Sequence, residues 1–298
     1  MKQYLEVLKS HPYISENISL NIYEQPFKHI VIDNLLKPDI YQKISNKFPE
    51  LVSRRSAPHG QVGTNSDNVY EAIIYGLAPE DAIEGFEFFI DPLWKNWLSN
   101  IFNTIFNEHT AYSIHFHKGS KEKLSKSGWV HQDLSICSAI NDSSRDVKIV
   151  NDCDYADDSN DNPHTNKIIR SVANLFYVNN IENPSEEDGG GTGIYTSYDK
   201  NDYVKSILPT NNRLFAFEVS PISYHAFIGA NFNRSAIVQW FHSNPSYYVH
   251  KHLEKFKSQF IENQRIFEEW KQNNLWNIEQ DSEYSKYFDR PFLEILST

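Results

Sequence analysis

The residues with the clearest potential for chemistry are His131 and Asp133, which are separated by one residue. The surrounding segment, Trp129–Ile136, is predicted to form a strand, and residues i and i+2 of a strand project from the same face. An imidazole and a carboxylate could then hold one metal ion together. A chain this rich in His and Asp contains on the order of one H-x-D by chance, so the motif alone is weak. The similar triplet at 252–254 lies in a predicted helix, where i and i+2 do not face each other.

His225 is the third candidate ligand, and it lies in a predicted strand, Ser223–Ile228. After a tight turn, Gly229–Asn233, another strand opens with Arg234, and alternation places Trp240 on the same face as Arg234. Two imidazoles and one carboxylate that leave open coordination positions are the ligand set of oxygen-activating iron(II) enzymes. A guanidinium one strand further on can bind a carboxylate through two hydrogen bonds.

The segments GWVHQDLS, NLFYVNN, EEDGGGTGIY, NRLFAFEVSPISYHAF and NRSAIVQWF resemble the 2-oxoglutarate and Fe(II)-dependent oxygenase superfamily, in its prolyl-4-hydroxylase-like branch. That family has H-x-D, a Tyr-Leu-Asn-like strand end, an acidic-Gly-Gly turn, a Phe before the distal His, and a Lys or Arg nine or ten residues later. The matching positions, in the same order, are His131, Asp133, Tyr177-Val178-Asn179, Asp188-Gly189-Gly190, Phe217, His225 and Arg234. The resemblance covers roughly Ala111–His242, and the lead-in PFKHIVIDNLLKPDIYQKI is similar to the amino-terminal strand and helix of bacterial members.

The resemblance implies a double-stranded β-helix, a jelly-roll (cupin-like) barrel, in which His131, Asp133 and His225 hold Fe(II). It also implies 2-oxoglutarate as cosubstrate, with Arg234 pairing with its far carboxylate, and O2 as oxidant. Succinate and CO2 would be released, and ascorbate is a candidate reductant. Halogenases of the superfamily replace the metal carboxylate with a small residue. Because Asp133 is present, we expect hydroxylation, while desaturation and ring closure stay open.

One position departs from the family pattern. Many members carry a Tyr shortly before H-x-D that hydrogen-bonds the cosubstrate, whereas this chain matches it with Phe116, which cannot donate. Asn174 is our candidate for the missing donor. Trp240 is a candidate for packing against the cosubstrate, with core packing as an equal alternative. Of His115 and His117, we expect one to line the pocket or to sit in the barrel.

Hydrophobic periodicity predicts a mainly β chain with flanking helices. Helical spacing is found over Lys37–Phe48, Asp91–Glu108 and Tyr248–Trp270, and Lys28–Asp33 is typical of a strand. From Ala111 the period changes to two. The predicted strands there are Ala111–Phe116, Trp129–Ile136, Arg170–Val178, Gly193–Tyr195, Arg213–Val219, Ser223–Ile228 and Arg234–Phe241. Short strands at this spacing are typical of a β-sandwich, barrel or jelly roll.

We interpret the chain as a single domain with three parts. Residues 1–110 support the barrel, 111–245 form the catalytic core, and 246–298 form a helical extension. The last helix is expected to pack on the barrel or against a second copy, which would give a homodimer. Asn141–Asn162 carries seven Asp and is predicted to be a long acidic loop. It could be a substrate lid, although a solvated mobile loop is the simpler interpretation.

Composition limits the partners. The formal net charge is −11, and an acidic chain is repelled by phosphate backbones and anionic lipids, so we expect neither nucleic-acid nor membrane binding. Cys137 and Cys153 do not have the spacing of a disulfide framework, which favours free thiols. Without a visible signal peptide or a long apolar run, we expect a cytoplasmic protein.

The expected substrate is an amino-acid-like, peptidyl or other small molecule. Two alternatives remain: a non-enzymatic cupin-like module that binds a metal or ligand, and a zinc hydrolase with the same three ligands. Arg234 argues against the module, because a structural metal site needs no carboxylate clamp. The hydrolase would need a general base near the bound water, and no obvious Glu accompanies the three ligands.

Overall fold

The structure, a computed structural model, describes residues 2–54, 72–76, 85–121, 127–128, 130–134, 136–140, 153–154 and 165–272. The α-helices are α1 Lys2–Lys9, α2 Pro38–Arg54, α3 Glu87–Ile90, α4 Pro92–Phe102 and α5 Pro245–Gln272. The strands are β1 Ser19–Tyr23, β2 His29–Asp33, β3 Ala72–Gly76, β4 Thr110–His117, β5 Ile136–Ile140, β6 Cys153–Asp154, β7 Thr165–Tyr177, β8 Thr192–Tyr195, β9 Tyr203–Ile207, β10 Arg213–Glu218, β11 His225–Phe227 and β12 Arg234–Ser243.

The strands form two antiparallel sheets. The major sheet has the order β1-β2-β10-β7-β12-β4-β3, with β5 also pairing with β7 and β6 pairing with β5. The minor sheet has the order β11-β8-β9. Strands distant in the chain are neighbours in the major sheet, as in a double-stranded β-helix, so the predicted fold class is confirmed.

Alternation along the central strands separates two cores. One face of the major sheet packs against the helices through Val172, Phe176, Leu214, Ile237 and Phe241. The opposite face lines the barrel interior through Ala173, Leu175, Tyr177, Ala236, Val238 and Trp240. Because successive side chains of a strand point to opposite faces, only the second set can contribute to a site inside the barrel.

The helix predicted over Asp91–Glu108 is shorter in the structure, where α4 ends at Phe102. Asn103 adopts a left-handed conformation with φ of 47°, which Asn tolerates better than most residues and which commonly ends a helix. Two apolar residues of the predicted segment are largely exposed. Ile105 lies beyond the helix and is 67% exposed, and Leu93 is 62% exposed.

The other strand predictions are confirmed within a few residues, with one exception. Among the described residues of Trp129–Ile136, His131 forms only an isolated bridge, and β5 begins at Ile136. The predicted acidic loop, Asn141–Asn162, lies outside the described residues except for Cys153–Asp154, which pairs with β5. Sequence patterns also missed α1, α3, β1, β3 and β9.

Helix α5 packs on the barrel, as one of the two sequence interpretations expected. Tyr248 and Phe256 belong to the interior cluster, and the Tyr248 hydroxyl donates to the Val219 carbonyl at 2.9 Å. Lys251 Nζ lies 2.7 Å from Glu218 Oε1. No helix in the described part of the chain combines the length and apolarity that a bilayer crossing requires.

Candidate metal centre

The structure brings the three predicted ligands together. Donor atoms of His131, Asp133 and His225 all lie within 4.8 Å of one another. His131 Nε2 is 3.5 Å from Asp133 Oδ1, and His225 Nε2 is 3.7 Å from Asp133 Oδ2. Two imidazoles and a carboxylate converging on one point fit a divalent metal such as Fe(II), with coordination positions left for other ligands.

Backbone pairing sets the spacing of the two histidines. The His131 amide donates to the His225 carbonyl at 2.9 Å, and the His225 amide donates to the His131 carbonyl at 2.8 Å. Residues opposite each other in such a bridge project on the same side, and the two ring centroids are 4.3 Å apart. His225 Nδ1 lies 2.8 Å from the Ser223 carbonyl. This contact orients the ring so that Nε2 is the available metal ligand.

Asp133 reaches the site in a way that the sequence did not indicate. Its φ is 60°, in the left-handed region, so the expected strand alternation between His131 and Asp133 is wrong. A left-handed conformation costs an ordinary L-residue roughly 1–2 kcal/mol. Asp is one of the few residue types that adopt it readily. The carboxylate therefore turns toward the histidines through a local backbone reversal.

The protonation states of the ligands suit a metal. Burial alone would raise the pKa of Asp133, but the hydrogen bond with His131 and the charges of His225 and Arg170 hold that pKa well below its usual range. Burial, with a smaller contribution from His131, lowers the pKa of His225 to about 4. At neutral pH the site thus offers an ionised carboxylate and a neutral His225 imidazole, the forms that bind divalent metals.

Arg234 lies in the same interior and is 2% exposed. Its Nη2 is 3.5 Å from Thr192 Oγ1, and its guanidinium carbon lies 5.1 Å from the centroid of the Tyr177 ring. Tyr177 Oη and Thr192 Oγ1 are 2.7 Å apart. The Arg234 Nε has no hydrogen-bond partner. Among the described residues no carboxylate lies within ion-pair distance of Arg234. A buried guanidinium is costly without an anion, so these residues fit the carboxylate of a small acid.

Both histidines of the H-x-H on β4 face the interior. His117 pairs with Arg234, and His115 lies two residues away on the same face. The His117 ring stacks on Phe227 at 4.0 Å, and His115 Nε2 is buried without a hydrogen-bond partner. Burial, followed by the charge of Arg234, lowers the pKa of His115 to about 3. Phe116 points to the opposite face, so two neutral imidazoles, rather than the expected one, line this wall.

The structure does not bring Asn174 to the site. Its Nδ2 donates to Gln239 Oε1 at 3.0 Å, and Gln239 in turn donates to the Phe89 carbonyl at 2.7 Å. These contacts lie on the helix-facing side of the sheet, because Asn174 alternates with Tyr177 and its interior neighbours. Of the interior groups, the hydroxyl of Tyr177 is placed to act as the donor that Asn174 was expected to supply.

Trp240 lies beside the metal ligands. Its Nε1 donates to Asp133 Oδ2 at 3.0 Å, and Arg170 Nη1 lies 3.5 Å from Asp133 Oδ1. Sequence reasoning placed Trp240 on the correct face but not against Asp133. It did not single out Arg170, which regular alternation on the predicted strand Arg170–Val178 would place on the same face as Asn174.

Comparison with known proteins was made for sequence and for structure. Residues 150–242 match the 2OG-Fe(II) oxygenase superfamily. This span includes His225 and Arg234, whereas His131 and Asp133 precede it. No curated protein gives a significant match over the chain.

Several solved structures are similar in fold. A Pseudomonas putida prolyl-4-hydroxylase is 13% identical, with 81% of this chain and 100% of that chain covered and a TM-score of 0.44. A Trichoplax adhaerens prolyl hydroxylase, solved with a hypoxia inducible factor oxygen degradation domain peptide fragment, is 15% identical, with coverage of 81% and 92% and a TM-score of 0.44. The viral collagen prolyl hydroxylase of Paramecium Bursaria Chlorella virus-1, solved with 2OG, is 13% identical, with coverage of 72% and 96% and a TM-score of 0.41.

Proposed function

We propose that this chain, a member of the 2OG-Fe(II) oxygenase superfamily, hydroxylates an amino-acid-like, peptidyl or other small-molecule substrate at an Fe(II) held by His131, Asp133 and His225. One observation carries the proposal. Three donor atoms of the right types lie within 4.8 Å of one another, in the same interior as a buried guanidinium whose Nε has no partner. Fe(II) with 2-oxoglutarate and O2 supplies the oxidation of a C–H bond, with succinate and CO2 as co-products.

Arg234 and the residues around it form the proposed pocket for 2-oxoglutarate. Arg234 pairs with the far carboxylate of 2-oxoglutarate, which satisfies the buried guanidinium. Tyr177 and Thr192, whose oxygens are 2.7 Å apart, supply hydroxyl groups to the same carboxylate. His117 and Phe227, stacked at 4.0 Å, form an aromatic wall of this pocket. The wall excludes water and so strengthens the ion pair.

The three metal ligands define where the substrate must approach. His131 and His225 are fixed by their shared backbone bridge, and Asp133 completes the set. Because Asp133 supplies a carboxylate ligand, hydroxylation is the expected outcome rather than halogenation.

The non-enzymatic cupin-like binding module stays the alternative function. The single-domain organisation and a homodimer through the C-terminal helix are further expectations that belong with this proposal.

The test is a screen of metabolites and peptides with purified protein and Fe(II), measured by succinate formation and by a mass increase of one oxygen in the substrate. We expect slow succinate formation without substrate and a marked increase with the true substrate. Zn(II) in place of Fe(II) is the matched control and should abolish turnover. Binding of 2-oxoglutarate without succinate in any arm would favour the non-enzymatic module.

A further inference from the structure

Two side chains from neighbouring strands contact the carboxylate of Asp133. Trp240 of β12 donates its indole N–H to Oδ2 at 3.0 Å, and Arg170 of β7 places Nη1 3.5 Å from Oδ1. The guanidinium carbon of Arg170 lies 4.2 Å from the centroid of the Trp240 ring. The three side chains are largely buried, so the contacts are shielded from solvent. Each oxygen of the carboxylate therefore has its own neighbour.

A bulge in β7 directs Arg170 into the barrel. Val172 pairs with Phe241 of β12, but His242, the next residue of β12, pairs with Arg170. Ser171 is therefore an extra residue on β7, and an extra residue reverses the alternation beyond it. Without the bulge, Arg170 would share the helix-facing side with Val172. With it, Arg170 lies on the interior side and reaches Asp133.

These contacts fix the orientation of the Asp133 carboxylate, which the backbone alone does not determine. Asp133 is not held by a regular strand, and its backbone is in the left-handed region. A carboxylate on such a residue can rotate about its side-chain bonds unless other groups fix it. A neutral indole donor fixes Oδ2 without competing for the metal. The stacked guanidinium holds the indole in place and keeps positive charge beside Oδ1.

We propose that Arg170 and Trp240 are positioning residues that fix the Asp133 carboxylate in its metal-binding orientation before the metal binds. This inference rests on the proposed function, because it assigns a role within the same site. It makes β12 a shared scaffold, with Arg234 at one end holding the cosubstrate and Trp240, six residues on, holding a metal ligand. Partners of metal ligands typically contribute 10–100-fold to metal affinity or activity.

Trp240→Phe removes the indole N–H and keeps an aromatic ring. We expect the affinity for Mn(II), measured by titration calorimetry as an oxygen-stable substitute for Fe(II), to fall about 10–100-fold. The affinity for 2-oxoglutarate at saturating metal should change little, because Arg234 is untouched. The visible absorption of the anaerobic complex with Fe(II) and 2-oxoglutarate should appear only at higher iron concentration in the variant.

Trp97→Phe is the matched control. Trp97 is buried on α4, and its Nε1 donates to the Tyr4 carbonyl at 2.7 Å, so this variant also loses one indole hydrogen bond. We expect its thermal stability to fall and its Mn(II) affinity to stay at the wild-type value. Equal losses of metal affinity in both variants would show a general effect of destabilisation and would overturn the proposal.

Variants of Arg170 provide a second, independent test. Arg170→Met should weaken Mn(II) binding in the same range. Arg170→Lys should not restore it, because an ammonium keeps the charge but cannot stack as a guanidinium does. Full recovery in Arg170→Lys would reduce the role of Arg170 to charge and overturn its positioning role. If Trp240→Phe does not fold by circular dichroism, the Arg170 pair decides the question.

Failure of this inference differs from failure of the proposed function. Wild-type protein that binds neither Mn(II) nor 2-oxoglutarate would overturn both. Wild-type protein that binds both ligands, together with Trp240→Phe and Arg170→Met variants of unchanged metal affinity, would overturn only the positioning role.

Discussion

His225 is prepared for metal binding by its surroundings. Its Nδ1 is engaged with the Ser223 carbonyl at 2.8 Å, and burial keeps its imidazole neutral at physiological pH. Asp133 is kept ionised by the groups around it. These effects act on single atoms. Among the described residues they coincide with three converging donor atoms only at His131, Asp133 and His225.

Replacing a metal ligand should remove the metal without unfolding the chain. We expect His131→Ala, Asp133→Ala and His225→Ala each to nearly abolish Mn(II) binding and succinate formation, because two remaining ligands hold a divalent ion poorly. Circular dichroism should show an unchanged fold. His29→Ala, which removes a buried imidazole outside the site, is the control and should retain metal binding. Wild-type succinate formation by His225→Ala would exclude His225 as the third ligand.

Arg234 should affect the cosubstrate rather than the metal. Arg234→Ala is expected to weaken 2-oxoglutarate binding by roughly 2–5 kcal/mol, the usual cost of removing one partner of a buried charged pair, while Mn(II) affinity changes little. Arg213→Ala is a suitable control, because Arg213 is also partly buried and pairs with Asp33 at 2.5 Å outside the site. Calorimetry with each ligand separates the two effects. Equal losses for metal and cosubstrate would indicate misfolding instead.

At the scale of strands and turns, periodicity predicted most of what carries the site. Alternation from Arg234 placed Trp240 on the interior face, and the strand with His225 was found within two residues. Two local departures could not be predicted. The left-handed backbone of Asp133 and the extra residue at Ser171 leave no trace in a hydrophobic pattern, because both depend on how neighbouring strands meet. The first accounts for the wrong strand assignment at Asp133, and the second for the position of Arg170 on the interior face.

The acidic-Gly-Gly turn joins the two sheets and tolerates no side chain. Gly189 has φ of 76°, and a Cβ atom there would lie 2.0 Å from the Gly229 carbonyl oxygen. We expect Gly189→Ala to lower the free energy of unfolding by more than the roughly 1–2 kcal/mol of a left-handed residue, because backbone must also move. Gly128→Ala, whose Cβ would meet its neighbours at 3.6 Å, is the control and should be tolerated. Urea unfolding of both variants provides the comparison, and equal midpoints would contradict the role of Gly189.

At the scale of the whole molecule, buried neutral imidazoles connect stability to pH. Burial is the main cause that lowers the pKa of His29 to about 4. Burial, followed by the charges of Lys251 and Lys255, lowers the pKa of His252 to about 3. His252 lies 3.9 Å from Glu218, but this contact does not offset its desolvation. His29 lies within β2, and His252 lies on the buried side of α5.

Stability should therefore fall in mild acid. Below pH 6.5, the ordinary pKa of histidine, the unfolded chain gains protons that folded His29 and His252 do not take up until about pH 4 or lower. Above pH 6.5 these two histidines do not reduce the free energy of unfolding. Below it, the loss approaches about 1.4 kcal/mol per pH unit for each histidine. Urea unfolding of metal-free protein between pH 7 and pH 4.5 should show this slope. The double variant His29→Gln, His252→Gln should have a shallower slope, and an unchanged slope would refute the assignment.

The isolated bridge between His131 and His225 makes the opening of the metal centre measurable by amide hydrogen exchange. Two amide protons are donated across it, at 2.9 Å and 2.8 Å, and each belongs to a residue that offers its ring to the metal. These amides can exchange with deuterium only when the bridge opens, and opening separates the two rings. In metal-free protein, amide exchange at these two positions therefore reports how often the bridge opens. A bound ion links the two rings. It should therefore slow amide exchange at His131 and His225 more than in the rest of the sheet.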